Sequence, residues 1–212
     1  ALKNKNELIV TWSTRYSKKW PRHKKGFNTI GRRATLNHAT QLYKDQKSDQ
    51  DDLVDALDAL KKLSFNDVSV NEKITLLTTQ ILIAERVRDF KELKRSSRTL
   101  INIKGAKESD RRFALRQLIW VSEVHLNFKT AYKLAKQLGP DKLSKSSYIL
   151  RLALLAELAK KSPKKHYNNY LKKFPRSRAA AQVRASLIKI SRRPWREIKK
   201  HQIALVRRPR VL

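Results

Sequence analysis

Apolar side chains recur every three or four residues along most of this sequence. The N-terminal series, for example, consists of Leu8, Trp12, Tyr16 and Trp20. This spacing places side chains on one face of an α-helix. No segment shows the sustained alternation and the Asn-Gly or Asp-Gly turns that are typical of paired β-strands. The pattern therefore predicts an all-α protein, which short segments containing Gly, Pro, Ser, Asn or Asp divide into about ten helices.

The helical pattern also repeats at intervals near 36 residues. At an offset of 38, the apolar residues Leu77, Ile81, Phe90 and Leu100 align with Leu115, Ile119, Phe128 and Leu138, and related alignments occur at offsets of 37 and 35. Each repeat is interpreted as two helices joined by a short turn, with turns at residues 87–89 and 125–127. We expect Phe90, Phe128 and Tyr167 at corresponding positions between helices. The inward-facing side chains predicted for the first helices are Leu115, Ile119, Trp120, Leu150, Leu154 and Leu158.

Residues 167–180 read Tyr-Asn-Asn-Tyr-Leu-Lys-Lys-Phe-Pro-Arg-Ser-Arg-Ala-Ala. This stretch resembles the second helix, the Phe-Pro-x-Ser turn and the following first helix of tetratricopeptide-repeat proteins, in particular those of bacterial cell envelopes. The resemblance spans roughly residues 50–192 and implies a solenoid of stacked antiparallel hairpins, with a concave surface for an extended partner. Arg116 and Arg151 replace the family's small residues and Pro163 replaces an Ala, so the repeats are degenerate.

Basic residues are concentrated at the two ends of the chain, whose formal net charge is +32. Residues 1–33 carry a net charge of +9, residues 34–110 are neutral and residues 111–212 carry +23. Such asymmetry favours a polyanionic or acidic partner over a uniformly solvated basic surface. We therefore divide the chain into a basic N-terminal helix and arm (1–33), a helical-repeat array (34–192) and a basic C-terminal segment (193–212). Cations of the neutral middle, such as Lys61 and Lys62, are not expected to take part.

Thirteen cations that alternate with aromatic residues at the two ends are the candidate polyanion-binding residues. They are Arg15, Lys18, Lys19, Arg22, Lys24, Lys25, Arg192, Arg193, Arg196, Lys199, Lys200, Arg207 and Arg208. The aromatic rings could stack on bases while the cations contact phosphates. The alternative, which the spacing favours, is that Trp12, Tyr16 and Trp20 form a buried helix face.

No residue pattern indicates catalysis. The chain has no cysteine, its four glycines form no phosphate-binding loop, and no two histidines have the spacing of a helical zinc site. Four aspartates, Asp51, Asp52, Asp55 and Asp58, share one helix face but lack the pattern of a calcium loop. Glu108 and Asp110 stand where capping carboxylates belong. We therefore expect a non-enzymatic protein with no catalytic, cofactor-binding or metal-binding residues and no small-molecule substrate.

Two further functional hypotheses remain open. Residues 130–150 resemble a helix-turn-helix, which would make the chain a nucleic-acid-binding protein, although Gly139-Pro140 equally suits a turn between repeats. The first residue, Ala1, the absence of methionine and the Phe174-Pro175 junction are consistent with an exported component of a bacterial envelope, and a cytoplasmic protein is the alternative. No membrane span is expected, because charges interrupt the most apolar stretch, residues 148–159. The leading hypothesis is a scaffold that binds other proteins of an assembly.

Overall fold

The structure is a computed structural model that describes residues 2–65, 68–140, 145–192, 194 and 196. Within these ranges it contains ten α-helices, one short 3₁₀ turn (Pro21–His23) and no β-strand, so the all-α prediction and the expected number of helices are confirmed. The helices are α1 (Leu2–Lys19), α2 (Lys24–Lys44), α3 (Gln50–Lys61), α4 (Val70–Arg86), α5 (Phe90–Asn102), α6 (Glu108–Val124), α7 (Phe128–Leu138), α8 (Lys145–Leu158), α9 (Lys164–Lys173) and α10 (Ala180–Ile190).

The chain divides into two compact units, Ala1–Val121 and Ser122–Leu212. In the first unit α1 packs on α2, which also contacts α3 and α4, and α5 packs on α4. The core consists of leucines, isoleucines and alanines from α2 to α6; its fully buried members include Leu53, Leu57, Leu60, Leu76, Ile81, Ile83, Leu93 and Leu100. Burial of each such side chain contributes about 1.5–3 kcal/mol, so this cluster is the main source of stability in the unit.

Side chains at the helix starts accept hydrogen bonds from the first-turn backbone, as sequence capping rules predict. Asp49 caps α3, Ser69 caps α4, Asp89 caps α5 and Asn127 caps α7. The aspartate cluster therefore belongs to a capped helix start, as the sequence indicated. At the start of α6, a carboxylate oxygen of Asp110 accepts a hydrogen bond from the backbone N–H of Lys107 at 3.2 Å, which is the capping role expected for that residue.

Two arginines tie α2 to α4 and so fix the part of the fold that carries the basic N terminus. Arg32, only 8% exposed, donates from Nε to a carboxylate oxygen of Glu72 at 2.9 Å. The guanidinium of Arg86 donates three hydrogen bonds of 3.0 Å to backbone carbonyls of residues 43, 45 and 46, just at and beyond the end of α2. Carbonyls at the end of a helix lack the helical donors of the interior, and the guanidinium supplies hydrogen bonds to them.

In the second unit α7 packs on α8, α8 on α9 and α9 on α10. Its core cluster consists of Ile149, Ala153, Tyr167, Tyr170, Val183 and Leu187. On α6, in the first unit, the predicted burial of Leu115 and Ile119 is confirmed, and Trp120 is half-buried against the core. On α8 Leu150 is half-buried against the core as predicted, but the prediction is wrong for Leu154, which is 54% exposed, and for Leu158, which is also exposed. Helix α8 carries apolar residues on almost all sides, so spacing alone did not define its inward face. Leu155, which is 2% exposed, faces inward instead.

Residues with left-handed backbone lie in both turns that the sequence predicted, 87–89 and 125–127, and in a third turn that it did not predict, at Lys160. Arg88, Leu126 and Lys160 have φ angles of 61°, 54° and 56°. At Leu126 and at Lys160 the N–H of that residue donates to the carbonyl three residues earlier at 2.9 Å, and the next N–H donates to the carbonyl five residues before it at 2.8 Å. This is the Schellman arrangement that ends many helices.

Phe90 and Phe128 are the first residues of α5 and α7, whereas Tyr167 lies one turn inside α9. The tetratricopeptide-like solenoid itself stays a prediction.

Candidate polyanion interface

The N-terminal candidate residues lie on a helical hairpin whose two helices approach each other closely. Ser13 and Ser17 of α1 are buried, and their hydroxyls donate to backbone carbonyls one turn earlier at 2.9 Å. Opposite them in α2 is Gly31, where an added β-carbon would collide with the hydroxyl oxygen of Ser13. Small residues thus form the contact between α1 and α2.

One flank of this hairpin is a cleft of about 740 Å³. Its walls come from α1, the Pro21–His23 turn, α2 and the segment that follows α3. Five cationic residues line it, namely Arg22, Lys24, Lys25, Arg32 and Lys62, and none of its described lining residues is acidic. Arg32 is buried and forms an ion pair with Glu72, whereas the side chains of the other four cations are exposed.

Hydroxyl groups also line the cleft, but four of them already donate their protons in hydrogen bonds within the protein. The hydroxyls of Ser13, Ser17, Thr29 and Thr35 donate to carbonyls of their own helices at 2.9–3.0 Å. They therefore present lone pairs, and an anion would be held by lysine and arginine. Three of the four exposed cations are lysines, whose ammonium groups on flexible stems bind phosphate, sulfate or carboxylate groups without fixed geometry, which suits a polymer better than one shaped small molecule.

Three further candidates, Arg15, Lys18 and Lys19, are exposed on α1 beside a shallow depression of the same helix. Thr14 lines both this depression and the cleft. The structure therefore brings the six N-terminal candidates together on one hairpin, in two neighbouring groups of three. This hairpin carries most of the charge of the first 33 residues.

The expected burial of the aromatic face of α1 is wrong. Trp12 is 56% exposed, and Leu8 and Trp20 are exposed as well. The reason is that α1 packs on α2 through Ser13 and Ser17, which leaves Trp12 outside the contact, whereas Tyr16 is half-buried. The aromatic rings contact each other near the hairpin turn. The ring centroids of Tyr16 and Trp20 are 4.9 Å apart, and those of Phe27 and Trp20 are 6.3 Å apart.

The C-terminal candidates are only partly within the described structure. Arg192 and Arg196 are exposed beyond the end of α10. Arg193, Lys199, Lys200, Arg207 and Arg208 lie outside the described residues. The C-terminal half of the predicted interface therefore stays a sequence-based prediction.

Sequence reasoning missed two groups of residues. Lys62 was assigned to the neutral middle, and no sequence signal pointed to it, because the fold carries it to the cleft from about 40 residues away.

In the second unit, the hydroxyl of Tyr132 lies 2.9 Å from Nε2 of His166, and the ammonium groups of Lys161 and Lys136 lie 5.1 and 5.7 Å from the centre of the Tyr132 ring. Burial, together with the charges of Lys136 and Lys165, lowers the pKa of His166 below its usual value.

The remaining hypotheses from sequence concern other parts of the chain. Helices α7 and α8, proposed as a helix-turn-helix, pack on each other, and residues 141–144 of their connection lie outside the described structure. Across the ranges described, no three His, Asp or Glu side chains gather as a metal site would need. No helix in the same ranges is both long and apolar enough to cross a membrane.

Comparison of the chain with protein-family models, with curated proteins and with solved structures gives no match. The interface is therefore interpreted from its own geometry.

Proposed function

We propose that the protein is a non-enzymatic helical scaffold that docks on a polyanion through the basic cleft of the α1–α2 hairpin. The observation that carries this proposal is the lining of the cleft, which includes four exposed cations and no described acidic residue. A surface with this excess of positive charge attracts anionic groups. A polyanion supplies many anionic groups at once and gains by the release of its counterions.

The scaffold part of the proposal rests on the repeated helix–turn–helix units. The left-handed turns at Leu126 and Lys160 have identical hydrogen bonds and are 34 residues apart, which supports a repeated unit of that length. Stacked repeats present extended surfaces to other proteins, and these surfaces would hold the remaining members of an assembly. The helix-turn-helix alternative has less support, since Gly139-Pro140 equally suits a turn between repeats.

The direct test is polyanion binding as a function of salt. The probes are heparin, polyglutamate, duplex DNA and RNA, each titrated at about 50 to 200 mM salt. The test variant replaces Arg22, Lys24, Lys25 and Lys62 by Gln. The control variant removes the same charge from exposed cations of α5 and the segment after it, by replacing Lys91, Arg98, Lys104 and Lys107 by Gln.

We expect the cleft variant to bind more weakly and with a flatter salt dependence, because each lost phosphate contact removes about 0.9 from the slope of log affinity against log salt for duplex DNA. The control should keep most of the affinity. If both variants lose affinity equally, the net charge of the molecule and not the cleft holds the polyanion, and the proposal is wrong. Circular dichroism of both variants establishes that the fold is retained.

A further inference from the structure

The outward face of α1 carries a line of five exposed side chains, which we call the α1 stripe. Its members are Lys5, Leu8, Trp12, Arg15 and Lys19. They are three and four residues apart in alternation, which keeps them on one face of the helix over a length of about 21 Å. The stripe has a cation at one end, two cations at the other and two apolar side chains in between.

Trp12 is the central and most unusual member of this stripe. It is 56% exposed, although a tryptophan side chain gains more than most by burial. Trp20 differs from it, because the ring of Trp20 stacks on Tyr16 and has the ammonium group of Lys19 5.0 Å from its centre. Trp12 therefore offers the broader accessible aromatic surface, with cations within one or two helical turns on either side.

We propose that the α1 stripe binds single-stranded nucleic acid, with a base stacked on Trp12 and the flanking phosphates held by Arg15, Lys19 and Lys5. This inference rests on the proposed function and specifies the polyanion. Every base has a flat face that can stack on an aromatic ring, so such binding tolerates any sequence. In a duplex these faces are covered by neighbouring bases, so only a single strand presents bases and phosphates to the stripe together.

The distribution of charge on α1 favours this ligand over a membrane surface. Helices that lie on membranes have a wide apolar face and keep their cations on the opposite face. Here the cations share the stripe with just two apolar residues, Leu8 and Trp12. The single acidic residue of α1, Glu7, lies five positions from Trp12 and therefore about 140° around the helix, away from the stripe.

The experiment measures binding of the whole chain to labelled oligouridylate, to a duplex of the same length, to heparin and to vesicles of anionic lipid. The test variant is Trp12→Ala, and Trp12→Phe is expected to keep part of the affinity because it retains a ring. The control is Ile30→Ala, which removes an equally exposed apolar side chain from α2 of the same hairpin. Both positions are at the surface, so each variant should fold, which circular dichroism verifies.

We expect Trp12→Ala to weaken oligouridylate binding about 5- to 150-fold, the range for loss of one base–aromatic stack. Its affinities for duplex and heparin and its salt slope should stay at the wild-type values. If Trp12→Ala binds oligouridylate as wild type does while heparin still requires the cleft, this inference is overturned and the proposed function stands. Binding to vesicles but not to oligouridylate, dependent on Trp12, would overturn it in favour of a membrane surface. If the wild type binds none of the polyanions, both proposals fail.

Discussion

Two neighbouring leucines of α8 provide the sharpest test of the fold, because they have the same chemistry and opposite environments. Leu155 is 2% exposed and Leu154 is 54% exposed. Truncation of a fully buried leucine to Ala costs about 2–5 kcal/mol, since it removes apolar surface and leaves a cavity. At Leu154 about half of the side chain is already solvated, so we expect a loss of about 1 kcal/mol or less. The slightly higher helix propensity of Ala reduces that loss further.

The assay is urea unfolding of the wild type, Leu154→Ala and Leu155→Ala, followed by far-ultraviolet circular dichroism. With a slope of about 2 kcal/mol per molar urea, the Leu155 variant should unfold at least 1 M earlier than the wild type, and the Leu154 variant within about 0.5 M of it. An equal loss for both variants, or a larger loss at Leu154, would mean that the inward face of α8 is the one predicted from the sequence spacing and not the one described above.

Two other predictions concern the second unit. Leu126→Gly should stabilise the protein by about 0.5–1 kcal/mol in thermal or urea unfolding, because relief of the left-handed strain at Leu126 exceeds the cost of the larger backbone entropy of Gly in the unfolded chain. A loss of stability would contradict the Schellman turn. Burial and the charges of Lys136 and Lys165 lower the pKa of His166 in the folded protein. The contribution of His166 to stability is therefore present above the pKa of the unfolded state, about 6.5, and is lost as the pH falls through the lower pKa of the folded state. Unfolding measured from pH 7.5 to pH 5 should show this decline in the wild type and a smaller one in His166→Gln; an unchanged decline would place its origin elsewhere.

Much of the secondary structure could be predicted from the sequence, because helix ends depend on local chemistry. Gly139-Pro140 and Ser162-Pro163, which have the residue types expected to divide the helices, separate helices in the structure, and Asp89 and Asn127 cap the helices that follow the predicted turns. Gly26 shows the limit of this reasoning, since it lies inside α2 although Gly is among the residue types expected between helices.

The inward faces of two helices could not be predicted, for different physical reasons. On α8 apolar residues surround the helix, so the periodicity has no defined phase. On α1 the regular aromatic series suggested a buried face, but the packing follows Ser13, Ser17 and Gly31, whose small size permits a closer approach of the two backbones. Hydrophobic spacing does not register such a contact.

The grouping of the N-terminal candidate cations could be predicted in part, because they are close together in the sequence. Arg22, Lys24 and Lys25 stand out as a dense basic segment, and the structure places them around one cleft. Arg32 and Lys62 complete the lining from other segments. Their contribution depends on the packing of α1 against α2 and on the path of the chain after α3, which local patterns do not specify.

The close contact between Gly31 and Ser13 also bears on the speed of binding. Most of the cations of the cleft lie on α2 and on the turn next to it, and the close contact between α1 and α2 holds these elements in place. We therefore expect their backbones to move little when a ligand binds. Only rotamer freedom is then lost on association, and no loop has to be ordered. A charged ligand meets a preorganised target, and long-range attraction accelerates its capture. Added salt should therefore slow the association rate more than it hastens dissociation.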